Sequence, residues 1–118
     1  MFQEFLRAKI HRARVTSARL DYEGSISIGS EFLKKTGMLP YEKVDVYNIT
    51  NGERFSTYVI EGTEAREMAV NGAAARLVAP GDLLIVCAFA LVDLSKEKPP
   101  VPSLALVEAD DNRFTLKP

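Results

Sequence analysis

Apolar and polar positions alternate along most of the chain, which predicts several short strands and little helix. Residues 3–20 set β-branched Ile10, Val15 and Thr16 among polar neighbours, and this predicts one long polar strand or two strands joined by a kink. Lys9 and His11 are two apart and share a face of it. Tyr22-Glu23-Gly24-Ser25 follows as a corner, because Gly accepts positive φ without a Cβ clash. After the corner, Ile26 and Ile28 point one way, and Ser25 and Ser27 the other. The period then changes: Ser30 is the expected N-cap of a short helix, with Glu31 in its first turn, Phe32 and Leu33 buried, Lys34 and Lys35 late, and Gly37 as the stop.

Pro40 leads into a strand over 43–50, in which Val44 and Val46 alternate with Asp45 and Tyr47. Asn51-Gly52 is the strongest short hairpin signal in the chain and returns the backbone into a strand over 54–60. On that strand Arg54, Ser56 and Tyr58 share one face, and Phe55, Thr57 and Val59 the other. Glu61-Gly62 turns again before residues 68–70. Asn71-Gly72 then precedes Ala73, Ala74 and Ala75, which read either as a short helical turn or as small residues that let a ligand approach the backbone. Pro80-Gly81-Asp82 is a turn, and the unbroken apolar run 83–92 is expected to be a fully buried strand. Residues 98–102 form a stiff connection rich in proline, and 104–107 with 114–116 are expected to make a last hairpin. Six or more short strands and one or two short helices make the expected class mainly β, a small and mostly antiparallel barrel of one domain over residues 1–118.

Composition narrows the functional classes. The 118 residues are 47% hydrophobic and 26% charged, with a formal net charge of −1, so there is no overall attraction to nucleic acid or anionic lipid. The charge is uneven: Arg7, Lys9, Arg12, Arg14 and Arg19 face only Glu4 in the first twenty residues. Cys87 stands alone, which excludes an intramolecular disulfide and suits a reducing compartment. No apolar run approaches the ~20 residues of a membrane span, and the N-terminus interleaves charge unlike a signal peptide. A cytoplasmic protein without a membrane role is expected.

One combination of motifs says more. Lys9-Ile10-His11-Arg12, Tyr22-Glu23-Gly24-Ser25, the run from Asn51 through Arg54 and Thr57-Tyr58, and Asn71-Gly72-Ala73-Ala74 follow one another in this order. Together they resemble the pyruvoyl-dependent aspartate 1-decarboxylase family, from the first residues to the apolar strand at 83–91. The last twenty or so residues carry nothing distinctive. The segment between Tyr58 and Asn71 is a residue shorter than in some relatives, and Gly29 stands where many carry an acidic residue.

The resemblance implies a double-psi β-barrel, assembled as a homotetramer with sites between subunits. It also implies self-cleavage. The Ser25 hydroxyl would attack the Gly24 carbonyl and turn the amide into an ester. β-Elimination would then release residues 1–24 with a free carboxylate, and loss of ammonia would leave a covalent pyruvoyl group at position 25, heading residues 25–118. Decarboxylating an α-amino acid requires a carbonyl electron sink that forms a Schiff base, and no lysine here stands in a pyridoxal-phosphate motif. The implied activity is therefore conversion of L-aspartate to β-alanine and CO2, which supplies pantothenate biosynthesis, with no metal.

By the same resemblance, Tyr58 is the proton donor, and Lys9, Arg54, Thr57, Gly72, Ala73 and Ala74 hold the substrate. Arg54 offers the fork that grips a carboxylate in two places. Tyr22, Gly24, Ser25 and Thr57 serve processing, while His11 and Asn71 support the site. Whether a maturation factor assists is open. The rival is a non-enzymatic barrel that binds nucleic acid through its basic first strand; it lacks the clustered aromatics that stack on bases.

Overall fold

The computed structural model describes residues 1–117. Nine strands alternate with two short helices: β1 (Phe2–Arg14), β2 (Ser17–Arg19), β3 (Ile26–Ile28), α1 (Ser30–Thr36), β4 (Lys43–Asn48), β5 (Arg54–Glu61), β6 (Met68–Asn71), a 3-10 helix (Gly72–Leu77), β7 (Leu83–Asp93), β8 (Ser103–Val107) and β9 (Phe114–Leu116). The strands hydrogen-bond in the order β2-β6-β3-β5-β4-β7-β1-β8-β9. The class is mainly β, as expected, and the sheet suits a small barrel, although β2 and β9 remain unpaired edges.

The expected strand over 3–20 is two strands. β1 ends at Arg14, and Val15-Thr16 carries the chain to β2, with the Val15 N–H on the Asp82 carbonyl at 2.8 Å and the Thr16 N–H on Met68 at 2.8 Å. β1 is antiparallel to β7 and its register slips between Leu6 and Ala8 and between His11 and Ala13. Arg12 at the second slip has φ 69°. Such bulges bend and twist a strand, and they let thirteen residues follow the curved sheet with Ala8, Ile10 and Ala13 still fully buried.

The interior contains Ile10, Ile26, Ile28, Phe32, Val44, Val46, Val59, Met68, Val70, Leu84 and Val86, each at 1% exposure or less. Phe32 also stacks on Phe114, ring centroids 4.7 Å apart, a pairing worth ~0.5–1.5 kcal/mol beyond the area it buries. This contact fastens the helix to the last strand.

Three expectations need correction. The N-cap of α1 is Gly29, not Ser30, and it makes no side-chain capping bond. The reason is space: a Cβ at Gly29 would lie 2.2 Å from the Ala65 carbonyl oxygen, so no capping side chain fits, and the Gly29 N–H is used on the Glu67 carbonyl at 2.8 Å. Gly37 does stop the helix, with φ 74° and its N–H on Leu33. The strand predicted over 43–50 ends at Asn48, where the Asn48 carboxamide oxygen accepts the Thr50 N–H at 2.9 Å and begins the loop. Finally, β7 is not fully buried. Its first half is covered on both sides by β1 and β4, but Leu91 is 68% exposed where β4 no longer runs beside it.

The alanine run resolves as a helical turn, Gly72–Leu77. No helix among the described residues is long and apolar enough to cross a membrane.

Candidate active site at the Gly24-Ser25 corner

The corner is bound at both ends to one residue. Arg19 on β2 pairs with Asn71 on β6, and the Asn71 N–H donates to the Ser25 carbonyl at 3.0 Å. Between these anchors residues 20–24 are exposed, whereas Ser25 is 2% exposed. The Asn71 carboxamide lies fully buried, and its Nδ2 donates to Ser25 Oγ at 3.1 Å and to Ser27 Oγ at 3.0 Å. Its Oδ1 has no partner among the described residues. A buried acceptor left without a partner is costly, and Asn71 carries that cost at this corner.

Ser25 has φ 103°, a conformation that L side chains rarely adopt, and such strain gathers where a backbone is about to react. Gly24 is open on one side. A Cβ built on it meets only one non-neighbouring heavy atom within 4 Å, Tyr58 Oη at 4.0 Å. On the other side stands Gly72, φ 69°, whose own Cβ would fall 2.8 Å from Gly24 Cα and 3.0 Å from Gly24 N. Any side chain at 72 would push the corner away. The register of β3 against β5, Ile26 with Val59, extended back one step brings Ser25 level with Tyr58, and a second step brings Gly24 level with Thr57.

Gly24, Ser25, Thr57, Tyr58, Asn71 and Gly72 thus converge within one chain. Ala73 and Ala74 continue from Gly72 in the 3-10 helix, exposed and half-buried respectively. Tyr58 is 39% exposed, with its ring tilted against Tyr41 at 6.4 Å. Tyr22 is exposed under the Arg19 guanidinium, 5.1 Å from its ring centroid.

The predicted anion-binding residues stand elsewhere. Arg54 lies four residues from Tyr58 on β5, roughly 13 Å along the strand, with its guanidinium 4.6 Å from the centroid of Tyr47. Register explains that stacking, because Tyr47 pairs with Arg54 across the β4–β5 hairpin. Lys9 and His11 share a face, as expected, on either side of buried Ile10. They sit on β1, four strands from β3, or roughly 19 Å around the sheet at ordinary strand spacing. Across the sheet Lys9 pairs with Cys87, and Cys87 with Asp45. Burial, and then cationic Lys9 and Arg12, lower the His11 pKa from its ordinary 6.5. Burial raises the Cys87 thiol, which argues against a thiolate nucleophile.

Sequence reasoning did not assign roles to Ser27 and Tyr47. Ser27 shares the Asn71 carboxamide with Ser25, and its signal was the alternation that places 25 and 27 on one face. Tyr47 could be found only with the hairpin register in hand.

Three of the five cations in the first twenty residues are paired within the chain. Arg7 is bonded to Glu42, Arg14 to Asp110 and Arg19 to Glu67, so a continuous phosphate-binding stripe does not form.

Comparison with known proteins agrees with this geometry. The profile of the aspartate decarboxylase family matches residues 1–115. An aspartate 1-decarboxylase of Bdellovibrio bacteriovorus is 49% identical over 112 residues, covering 95% of this chain and 89% of its own length. One of Hydrogenobaculum sp. is 48% identical over 117 residues, 99% of this chain and 93% of its own. One of Legionella pneumophila reaches 56% over 89 residues, 75% of this chain and 67% of its own. The corner of strained Ser25 against two glycines, and these matches along almost the whole length, lead to one assignment: the chain belongs to the aspartate decarboxylase family.

Proposed function

We propose that the protein decarboxylates L-aspartate to β-alanine and CO2 after cutting itself between Gly24 and Ser25. The observation that carries this is the corner itself: a buried serine at φ 103°, next to a glycine that is open on the face of Tyr58 and pressed on the other by Gly72. A simple turn needs neither the strain nor the buried Asn71.

In the cleavage, Ser25 Oγ forms a bond to the Gly24 carbonyl carbon and the Gly24–Ser25 C–N bond breaks, leaving an ester and a free amine. Abstraction of the Ser25 α-proton expels Gly24 as a carboxylate. The residue left at 25 takes up water and releases ammonia. Asn71 orients Oγ, and the missing side chain at Gly24 admits it at close range.

The residues at the corner fit a pyruvoyl group, since position 25 is buried beside the small Gly24 and Gly72 and faces the Asn71 Nδ2 donor, which can bond a carbonyl oxygen. That carbonyl supplies the electron sink that amino-acid side chains lack. The Tyr58 phenol reaches the open face of Gly24, its Oη 4.0 Å from where a Gly24 Cβ would be, and is placed to return a proton to the substrate's Cα. Arg54, fixed on Tyr47, offers a planar fork to a carboxylate of the diacid, and Lys9 a second cation. Thr57 and the Gly72-Ala73-Ala74 backbone add neutral contacts, with His11 in support.

Lys9 and His11 stand on β1, four strands from β3, and Arg54 lies at the far end of β5 from Tyr58; following the family resemblance, we read the complete site as joining residues of neighbouring copies, and a homotetramer is the assembly proposed. Exposed Leu39, Tyr41 and Leu91, at 66%, 78% and 68%, give such contacts apolar surface. The lone Cys87 suits a cytoplasmic setting, and the product suits pantothenate supply.

Intact mass spectrometry after incubation tests the reading. Two fragments are expected, 1–24 and 25–118, the larger lighter by one ammonia than simple hydrolysis would leave it. An intact chain that releases no CO2 from L-aspartate would overturn the proposal. Arg54→Lys should raise KM about tenfold or more with a smaller change in kcat, since it keeps the charge and loses the fork; an unchanged KM would remove Arg54 from the substrate.

A further inference from the structure

We infer that Arg19 is a positioning residue for self-cleavage, holding the exposed corner in register through Tyr22 while Glu67 holds Arg19. The inference rests on the cleavage proposed above and deepens it. Five consecutive exposed residues, 20–24, carry the scissile carbonyl. A loop of that kind has conformational freedom to lose before Gly24 meets Ser25 Oγ, and attack geometry is sensitive to shifts of about 1 Å.

Arg19 restrains that freedom. Its guanidinium lies over the Tyr22 ring at 5.1 Å, and its carbonyl accepts the Tyr22 N–H at 3.4 Å. The Tyr22 carbonyl oxygen in turn lies only 3.2 Å from where a Cβ of Gly72 would be. Tyr22 is therefore packed between Arg19 and the Gly72 backbone, two residues before the bond to be cut.

A surface arginine would not hold such a position alone. Arg19 is anchored to Glu67 Oε2 at 3.1 Å, and Glu67 is 8% exposed. The carboxylate is fixed by the Thr63 hydroxyl at 3.1 Å and the Glu64 N–H at 3.3 Å, both on Oε1. Room for it comes from Gly62, where a Cβ would fall 3.0 Å from Glu67 Cβ and Cδ. The loop 62–67 thus serves as a rigid base, and Arg19 transmits its position to the corner. Nothing in this chain of contacts touches the atoms that react.

The test compares wild type, Arg19→Met, Arg19→Lys, Tyr22→Leu and the Arg19→Met/Tyr22→Leu double variant. Cleavage is followed by intact mass, melting temperature is measured on each precursor, and decarboxylation on each fully cleaved product. Arg19→Met should cleave about tenfold more slowly, melt a few degrees lower because the nearly buried Glu67 carboxylate keeps only the donors on its Oε1, and turn over aspartate normally once cut. Arg19→Lys, which keeps the charge and loses the planar stack, should fall between. The double variant should be no slower than the worse single, since both act through one contact. Wild-type cleavage kinetics in Arg19→Met would overturn the inference, as would a slowing matched by lower turnover of the cut product. If wild type itself stays uncut, the self-cleavage reading fails and takes this one with it; if wild type cuts and Arg19→Met cuts equally fast, only this one fails.

Discussion

Ser25→Ala should leave a single full-length chain and no measurable decarboxylation of L-aspartate. Both losses have one cause, because the hydroxyl that attacks Gly24 is also the atom whose elimination creates the reactive carbonyl. The fold should survive. Alanine introduces no new clash, and of the two bonds that Asn71 Nδ2 donates, the one to Ser27 Oγ at 3.0 Å remains. The cost is of the order of one buried hydrogen bond, ~1–3 kcal/mol, against a total stability of ~5–15 kcal/mol. Intact mass and CO2 release decide the matter, and fragments of 1–24 and 25–118 in this variant would remove Ser25 from its role.

Tyr58→Phe separates the two reactions that Ser25→Ala abolishes together. Removing Oη leaves the ring against Tyr41 and opens slightly more room beside Gly24, so cleavage should run at close to its normal rate. Turnover should then fall ~10²–10⁴-fold, the usual contribution of a positioned acid, with KM little changed, because the lost interaction acts on a proton in flight rather than on a bound carboxylate. The comparison needs cleaved protein of both kinds and a single assay of β-alanine formation. A variant that turns over normally would dismiss Tyr58 as the donor, and one that fails to cut would move its hydroxyl into the processing step.

Local patterns foretold local structure. Gly37 stopped its helix and the alternating runs became strands, because each depends on neighbours in sequence. Gly29 was not legible as a cap: its constraint is a carbonyl thirty-six residues away, at Ala65. Pairing was legible only in part. A two-residue turn at Asn51-Gly52 would set Arg54 opposite Ile49, but Asn48 folds its carboxamide over the loop and sets Arg54 opposite Tyr47, where the guanidinium finds a ring. The candidate site divided in the same way. Gly24, Ser25 and Tyr58 were recognisable as a motif, and the sheet brings them together. That Lys9 stands four strands from β3 is a property of strand order, which no spacing in the sequence encodes.

The long first strand bears on what the proposed cut would do to the protein. β1 lies between β7 and β8, with eleven paired positions on one side and four on the other. After cleavage the 24-residue piece is therefore an inner stave of the sheet that cannot peel away without opening it. While folded, the nicked molecule should be nearly as durable as its precursor. Once melted, its two pieces diffuse apart, and refolding becomes a second-order search that slows with dilution. Heating should thus be reversible for the uncut Ser25→Ala chain and, at low concentration, final for the mature enzyme, which makes maturation a one-way commitment in mechanical as well as chemical terms.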